Sequence, residues 1–209
     1  MANNVKRKIK LNRVYISFPK VLKPGKALDG TMKYSAQFII PKDHPQVKEL
    51  QTLIKEIAAE AFAGIPLKVL KIGLRDNDKD TNKSGVVFSE ATPRLKKTLF
   101  LNAYSVLDFP PQAVDNGASG SVRLITSEAD LYAGCLVNVA LTLLSFKQPT
   151  AQGIGFGLNT IQVVEKGERW DGRVSALDEW APIPGAKADV PAAASAEEAV
   201  DEDDGDPWS

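Results

Sequence analysis

Cysteine, histidine and catalytic motifs are scarce in this sequence. The chain of 209 residues contains one cysteine and one histidine. Cys135 cannot form an internal disulfide, and its apolar surroundings favour a small buried side chain. No metal cluster can be assembled around His44, and the chain carries neither a phosphate-binding glycine loop nor a nucleophile motif. The sequence therefore predicts a protein that is not an enzyme and needs no metal or cofactor.

Long apolar runs are also missing. No stretch of about 18 apolar residues could form a membrane-spanning helix. The basic segment Met1–Lys10 is not followed by the hydrophobic region that a signal peptide needs. These absences predict a cytoplasmic protein. A chain of 209 residues is long enough for one well-packed domain and a tail.

An overall excess of charge is absent, because 26 lysines and arginines balance 26 aspartates and glutamates. The distribution is nevertheless uneven. Residues 186–209 contain eight acids and one lysine, which leaves 25 bases and 18 acids in residues 1–185. The body therefore carries +7 and the end carries −7. A basic body with an acidic appendage indicates a polyanionic partner and a built-in mimic of that partner.

A change of composition near Pro182 predicts a domain boundary. Residues 186–209 hold almost no large apolar side chain before Trp208. Such a segment cannot bury enough surface to offset the entropy that it would lose on ordering. We therefore predict a folded domain over residues 1–181 and a disordered acidic tail over residues 182–209.

Alternating apolar and polar residues predict five strands, at residues 9–18, 33–41, 98–107, 136–147 and 154–164. One amphipathic helix lies between the second and third strands, with Asp43 as its N-cap, Pro45 in its first turn, and Gly64 and Pro66 ending it. Its apolar face comprises Val47, Leu50, Ile54, Ile57, Ala58 and Ala61. Five short strands with an inserted helix fit a mainly β fold, an OB-fold-like five-stranded barrel.

Strand alternation also predicts which side chains face the core. The core sets are Val14, Ile16 and Phe18 in the first strand, Leu99, Leu101, Ala103 and Leu107 in the third, and Val137, Val139, Leu141 and Leu143 in the fourth. The reverse sets are Arg13, Tyr15 and Ser17, then Phe100, Asn102 and Tyr104, then Asn138, Ala140, Thr142 and Phe146. Two aromatic residues around an amide on the third strand predict a surface on which bases stack.

Basic and aromatic residues are interleaved along the chain. Binding of a single strand requires cations for the phosphates and aromatic rings for the unstacked bases. The predicted DNA contacts are Lys10, Arg13, Tyr15, Lys33, Arg94, Lys96, Lys97, Phe100, Tyr104, Phe146 and Lys147. For Phe100 and Tyr104, core packing is an equally good interpretation. For Tyr34, which shares a face with Phe38 and Ile40, core packing is preferred.

The segment Leu74–Asp80 carries acids at alternate positions, like the start of a calcium-binding loop. Such a loop would start at Asp76. Its sixth position would then be Thr81, where a glycine is needed, and its twelfth would be Val87, where a glutamate is needed. We therefore predict a polar turn without metal. The glycines of Gly153–Asn159 lie within a predicted strand, where they favour bending or the close approach of another backbone.

Several short pieces of sequence, taken in their order, resemble a family of phage single-stranded DNA-binding proteins long known only as a domain of unknown function. They are Lys33-Tyr34-Ser35, Ile40-Pro41-Lys42, Leu74-Arg75-Asp76, Leu131-Tyr132-Ala133-Gly134 and Gly155-Phe156-Gly157-Leu158-Asn159-Thr160-Ile161-Gln162. The resemblance covers most of residues 9–180 and implies an OB-fold. The chain departs from the family pattern at Asn77, where a glycine is expected.

The end of the chain is similar to the acidic, aromatic-tipped tails of bacterial and phage single-strand-binding proteins. That resemblance implies a tail that regulates DNA binding and recruits replication or recombination enzymes. The implied partner-binding residues are Asp201, Glu202, Asp203, Asp204, Asp206 and Trp208. Trp208 followed by Ser209 replaces the usual terminal phenylalanine. A tail that only increases solubility remains an alternative.

The combined expectation is a protein that coats and protects single-stranded DNA in phage replication and recombination, in the host cytoplasm and with little sequence preference. Duplex DNA should bind more weakly. An alternative is a recombination mediator that anneals complementary strands, and a further one is an enzyme or adaptor of unknown chemistry. The sequence leaves open whether the protein forms a homodimer and whether it prefers DNA to RNA.

Overall fold

The computed structural model describes residues 5–27, 30–116, 120–170 and 172. The strands and helices are β1 (Lys6–Lys26), β2 (Met32–Pro41), α1 (Val47–Ala61), β3 (Lys71–Ile72), β4 (Leu74–Asp76), α2 (Phe88–Ala91), β5 (Thr98–Ser105), β6 (Gln112–Asn116), β7 (Val122–Leu124), β8 (Leu136–Gln148) and β9 (Ala151–Glu165). All five predicted strands are present, as β1, β2, β5, β8 and β9. The predicted tail, residues 182–209, lies outside the described residues.

Five strands close into a barrel. β1 pairs antiparallel with β2 and β8, β2 pairs with β5, and β8 pairs with β9. A parallel pairing of β5 with β9, in which Ala103 lies opposite Phe156, completes the ring. The remaining strands extend it, since β6 and β3 pair with β9, β7 with β6, and β4 with β5. The predicted OB-fold is confirmed.

The barrel interior holds the core, and α1 packs against β1, β8 and β9. As predicted, α1 buries one apolar face: Val47, Leu50, Ile54, Ile57 and Ala58 are buried, and Ala61, the last residue of the predicted set, is partly buried. The predicted start of the helix is wrong, because α1 begins at Val47: Gln46 rather than Asp43 is the N-cap, and Pro45 lies before the first turn. The Gln46 side chain instead accepts a hydrogen bond from the Asn12 N–H at 2.8 Å and donates one to the Lys10 carbonyl at 2.7 Å. The start of the helix is thus attached to β1.

Two of the predicted core residues are exposed. Phe18 is 73% exposed and has a φ of 46°, because β1 shifts register against β2 between Ser17 and Lys20 and the alternation breaks there. Leu107 is exposed because β5 ends at Ser105. The other predicted core residues of these strands are buried, including Val14, Ile16 and Leu101, whose side chains are fully enclosed. Cys135 is buried too, and its burial raises the pKa of the thiol.

The segment Leu74–Asp80 forms the short strand β4 followed by the predicted polar turn. Lys42 Nζ lies 2.7 Å from Asp76 Oδ1 and 2.7 Å from Asp78 Oδ2, so a lysine neutralises these acids. Asn77, where the family pattern has glycine, is buried, and its side chain donates a hydrogen bond to Thr98 Oγ1 at 2.9 Å. Among the described residues, no group of acids, histidines and cysteines could hold a metal ion.

The glycine-rich part of β9 allows a close approach of backbones, which confirms the sequence-based interpretation. A Cβ atom on Gly153 would lie 1.9 Å from the Lys71 carbonyl oxygen of β3. Only glycine therefore permits the pairing of β3 with β9 at this point. No helix in the described ranges is long and apolar enough to cross a membrane.

Candidate nucleic-acid interface

Three rows of side chains cross the outside of the barrel over β1, β2 and β5. Each row contains residues that are paired in register, and most of their neighbours along the strands are buried in the core, namely Val14, Ile16, Phe38, Ile40, Leu99, Leu101 and Ala103. The rows are Tyr15 with Ile39 and Phe100, Ser17 with Gln37 and Asn102, and Lys20 with Ser35 and Tyr104. In the middle row, Gln37 Nε2 donates a hydrogen bond to Asn102 Oδ1 at 3.2 Å. We call this surface the outer face.

A groove of about 510 Å³ lies at one end of the outer face. Its aromatic and charged lining residues are Arg13, Tyr15, Arg94, Glu165, Glu168 and Trp170. The Tyr15 and Trp170 rings lie 5.4 Å apart between centroids and are tilted by 36°. The Arg94 guanidinium carbon lies 5.4 Å from the centroid of the Trp170 ring, in cation–π contact. We call this the Trp170 groove.

A second groove, of about 410 Å³, lies at the other end of the outer face. Its aromatic and charged lining residues are Lys20, Lys26, Lys33 and Tyr104. The Tyr104 side chain is 44% exposed, and Lys33 Nζ lies 4.8 Å from its ring centroid. Lys20 lies over Gly25, where a Cβ atom would come within 2.4 Å of the lysine side chain. We call this the Tyr104 groove.

A bulge in β1 places Arg13 in the Trp170 groove. The pairing of β1 with β8 shifts between Leu11 and Val14, and Arg13 adopts a left-handed φ of 53° there. Its backbone N–H donates a hydrogen bond to Asn138 Oδ1 at 3.0 Å, which holds this unusual conformation. The Arg13 side chain forms an exposed ion pair of 3.5 Å with Glu165. The cation is thus partly neutralised within the groove.

The loop that carries Arg94 is fixed by Asp78. Lys97, three residues after Arg94, has a left-handed φ of 56°, and its N–H donates to the Asp78 carboxylate at 3.0 Å and 3.2 Å. The hydrogen bond from Lys42 is the main reason that the pKa of the Asp78 carboxyl lies below its usual range. A charged Asp78 therefore holds the residues that follow Arg94 in place.

Phe100 differs from the expectation that its ring contacts bases. The side chain is 3% exposed. The Phe88 and Phe100 rings form a T-shaped contact at 5.6 Å between centroids, and the Arg75 guanidinium carbon lies 5.1 Å from the Phe100 centroid. The segment between β4 and β5 covers the outer side of Phe100, so no ring face is free. We therefore omit Phe100 from the interface.

The remaining predicted contacts divide between the grooves and other surfaces. The two grooves contain Arg13, Tyr15, Arg94, Lys33 and Tyr104 from the predicted set. Lys96 and Lys97 are exposed in the loop after Arg94. Lys10, Phe146 and Lys147 line neither groove, and Lys147 borders a separate groove at the tip of the β8–β9 hairpin. These three remain predictions of contacts outside the grooves.

Sequence reasoning missed Trp170, Lys20 and Lys26. In Arg169-Trp170, as in Lys33-Tyr34, a basic residue stands next to an aromatic one. This local pattern could have pointed to Trp170. Trp170 follows the last predicted strand, which ends at residue 164, so strand alternation does not reach it. The contact between Trp170 and Tyr15 joins opposite ends of the domain sequence, and local pattern cannot predict it.

The chain matches the family model described as Enterobacter phage Enc34, ssDNA-binding protein, over residues 7–191. It belongs to this family. A relative in the same size range is protein p50 of Acyrthosiphon pisum secondary endosymbiont phage 1, which is 24% identical over 185 residues, covering 83% of this chain and 92% of the relative.

Two solved structures share the fold. The bacteriophage Enc34 single-stranded DNA-binding protein in complex with ssDNA superposes with a TM-score of 0.63 at 19% identity, covering 78% of this chain and 89% of that one. The bacteriophage T7 single-stranded DNA-binding protein gp2.5 superposes with a TM-score of 0.55 at 14% identity, covering 84% of this chain and 99% of that one.

Proposed function

We propose that this chain binds single-stranded DNA across the outer face of its barrel. The observation that carries the proposal is the pair of grooves, each of which combines an aromatic ring with cations. The rows of Phe100 and Tyr104 are four residue steps apart on β5, which corresponds to about 13 Å along the strand. One strand of DNA can therefore cross both grooves. Membership of the Enc34 family supports the choice of ligand.

Each type of side chain has a role in this proposal. Tyr15 and Tyr104 stack on bases, because both rings are partly exposed on the outer face. Lys33, Arg94, Lys96 and Lys97 contact phosphates, as do Lys20 and Lys26 in the Tyr104 groove. The body charge of +7 adds a long-range attraction to the strand. Duplex DNA binds more weakly, because its stacked bases offer no free faces to the aromatics.

The biological role that we propose is to coat and protect single strands in phage DNA replication and recombination, in the host cytoplasm. Phosphate contacts and base stacking depend little on sequence, so the coating is largely independent of it. The role needs no catalysis. The phage origin of the relatives supports this role.

The acidic tail regulates this binding in our proposal. A flexible chain of 24 residues spans roughly 25–29 Å, whereas a compact body of 185 residues has a radius of gyration of about 16 Å. Residues 186–209 can therefore reach the outer face and compete there with phosphates. When DNA displaces them, the acids and Trp208 become available to replication or recombination proteins.

A titration of labelled oligonucleotides tests the proposal. Single-stranded and duplex oligonucleotides are titrated with the full chain and with a chain truncated after Gly185, at several salt concentrations. We expect preference for the single strand, a logarithmic salt slope of about −0.7 per phosphate contact, and tighter binding by the truncated chain, most clearly at low salt. No binding at low salt would contradict the function, and equal affinities of the two chains would contradict only the role of the tail.

A further inference from the structure

The segment 166–170, which we call the strap, lies across the turn that precedes β8. Trp170 N–H donates a hydrogen bond to the Ala133 carbonyl at 2.9 Å, and the Tyr132 hydroxyl donates one to the Gly167 carbonyl at 3.0 Å. At the start of the strap, Lys166 Nζ lies 2.6 Å from a carboxylate oxygen of the turn. Contacts therefore hold the strap along its whole length, and its position does not depend on the Trp170 contacts alone.

Two glycines allow the strap to lie this close to the turn. Gly134 has a left-handed φ of 109°, and a Cβ atom there would lie 1.9 Å from the Glu168 carbonyl oxygen. A Cβ atom on Gly167 would lie 2.4 Å from the Gly134 carbonyl oxygen. Both positions therefore require glycine. The backbone that leads to Trp170 is fixed by direct contact as well as by hydrogen bonds.

The strap places the Trp170 ring at the Trp170 groove, half-buried beside Tyr15 and in contact with Arg94. An indole ring that is fixed before a ligand arrives loses little conformational entropy on binding. The charges that line this groove, Arg13 and Arg94 against Glu165 and Glu168, are balanced. A balanced, aromatic groove suits an uncharged base better than a phosphate.

We propose that Trp170 is a base-stacking residue, which the strap presents as a preformed platform at one end of the DNA track. This inference rests on the proposed binding of single-stranded DNA. A base stacks on the indole ring in place of the Arg94 guanidinium, which then contacts a phosphate at the edge of the groove. The other interpretation of the geometry is that Trp170 only covers Tyr15 and is displaced by DNA.

The first test uses the intrinsic fluorescence of the full chain, which has three tryptophans. Trp180→Phe combined with Trp208→Phe leaves Trp170 as the only reporter, and Trp170→Phe is the matched control that retains the other two. We expect a single-stranded oligonucleotide to quench the emission of the Trp170-only chain. Unchanged emission, while a dye-labelled oligonucleotide still binds the same chain, would overturn the proposal.

The second test measures affinity with Trp170→Leu, which keeps an apolar side chain on the strap but removes the ring. We expect affinity to fall by about 5- to 150-fold, with an unchanged salt slope because no charge is lost. Wild-type or tighter binding by this variant would overturn the proposal, since a mere cover would inhibit binding. Failure of the wild-type chain to bind the dye-labelled oligonucleotide at low salt is a different result, and it would contradict the proposed function itself. If Trp170→Leu fails to fold, the Trp170-only chain still decides, because stacking on a base quenches the indole emission, whereas displacement of the ring into water shifts the emission maximum to longer wavelength and would overturn the proposal.

Discussion

The two grooves of the outer face differ in their balance of aromatic, basic and acidic residues. The Trp170 groove has two aromatic rings, and the charges of its two arginines are balanced by those of two glutamates. The Tyr104 groove has one aromatic ring and three lysines, and none of its described lining residues is acidic. The composition of the Trp170 groove favours bases, whereas that of the Tyr104 groove favours both a base and phosphates. Stacking depends little on salt, whereas phosphate contacts release counterions, so the two ends should respond differently to ionic strength.

The largest expected effect separates Tyr104 from Phe100, which lie four residues apart on the same strand. Tyr104→Leu should weaken binding of single-stranded DNA by about 1–3 kcal/mol and leave the melting temperature near that of the wild type, because the ring is exposed. Fluorescence anisotropy and thermal unfolding measure the two quantities.

Phe100→Leu is the matched control for this comparison. Because Phe100 is buried against Phe88, its replacement should lower the melting temperature while the folded protein keeps its affinity. The reverse pattern, with Phe100→Leu impairing binding and Tyr104→Leu impairing stability, would show that the assignment of the two rings is wrong.

The next effect concerns the charge of the Tyr104 groove. Lys26→Gln should make the logarithmic salt slope shallower by about 0.7, because one phosphate contact is lost, and affinity should fall for all sequences alike. Trp170→Leu should leave the slope unchanged. Salt titrations of both variants check this contrast, which fails if the slope changes equally in both or in neither.

A smaller effect should appear in the pH dependence of stability. The pKa of Asp78 is lowered in the folded protein, chiefly by its hydrogen bond from Lys42. A lowered pKa contributes stability that is present above the unfolded pKa, near 3.9, and is lost as the pH falls through the folded value. In Asp78→Asn the melting temperature should therefore decrease less steeply than in the wild type as the pH is lowered below about 4. Identical acid profiles of variant and wild type would contradict this role.

The smallest effect should come from giving the Trp170 groove a net positive charge, like that of the Tyr104 groove. Glu165→Gln removes the exposed partner of Arg13 and leaves the Trp170 groove with an excess of positive charge. We expect a slightly steeper salt slope, by up to about 0.7, if Arg13 then contacts a phosphate. Glu60→Gln, which releases Arg7 away from both grooves, is the matched control and should not change the slope.

Much of the barrel was predictable because strand alternation is a local rule. It gave Val14, Ile16 and Leu101 as core residues and left Tyr104 on the outside, as the structure has them. The rule fails where another segment intervenes, as at Phe100, which the segment between β4 and β5 covers. It also fails at the bulge of β1, where Phe18 is exposed.

The site was less predictable than the barrel, because it depends on contacts between residues far apart in the sequence. The meeting of Tyr15 with Trp170 requires β1 and the strap to pack side by side, and the close approach at Gly134 that permits it is invisible to local patterns. The start of α1 is a similar case, since the side chain of Gln46 binds the backbone of β1 where sequence rules favour capping by Asp43.

The most direct test of the central claim, that DNA crosses the outer face through both grooves, is photocrosslinking. A thymidine oligonucleotide containing 5-iododeoxyuridine is bound to the full chain and irradiated, and the crosslinked residues are mapped by mass spectrometry. The account predicts crosslinks at Tyr15 and Trp170 from one groove and at Tyr104 from the other, all competed by unlabelled single strands. Crosslinks confined to other surfaces, such as the tip of the β8–β9 hairpin, with none at these three residues, would contradict it.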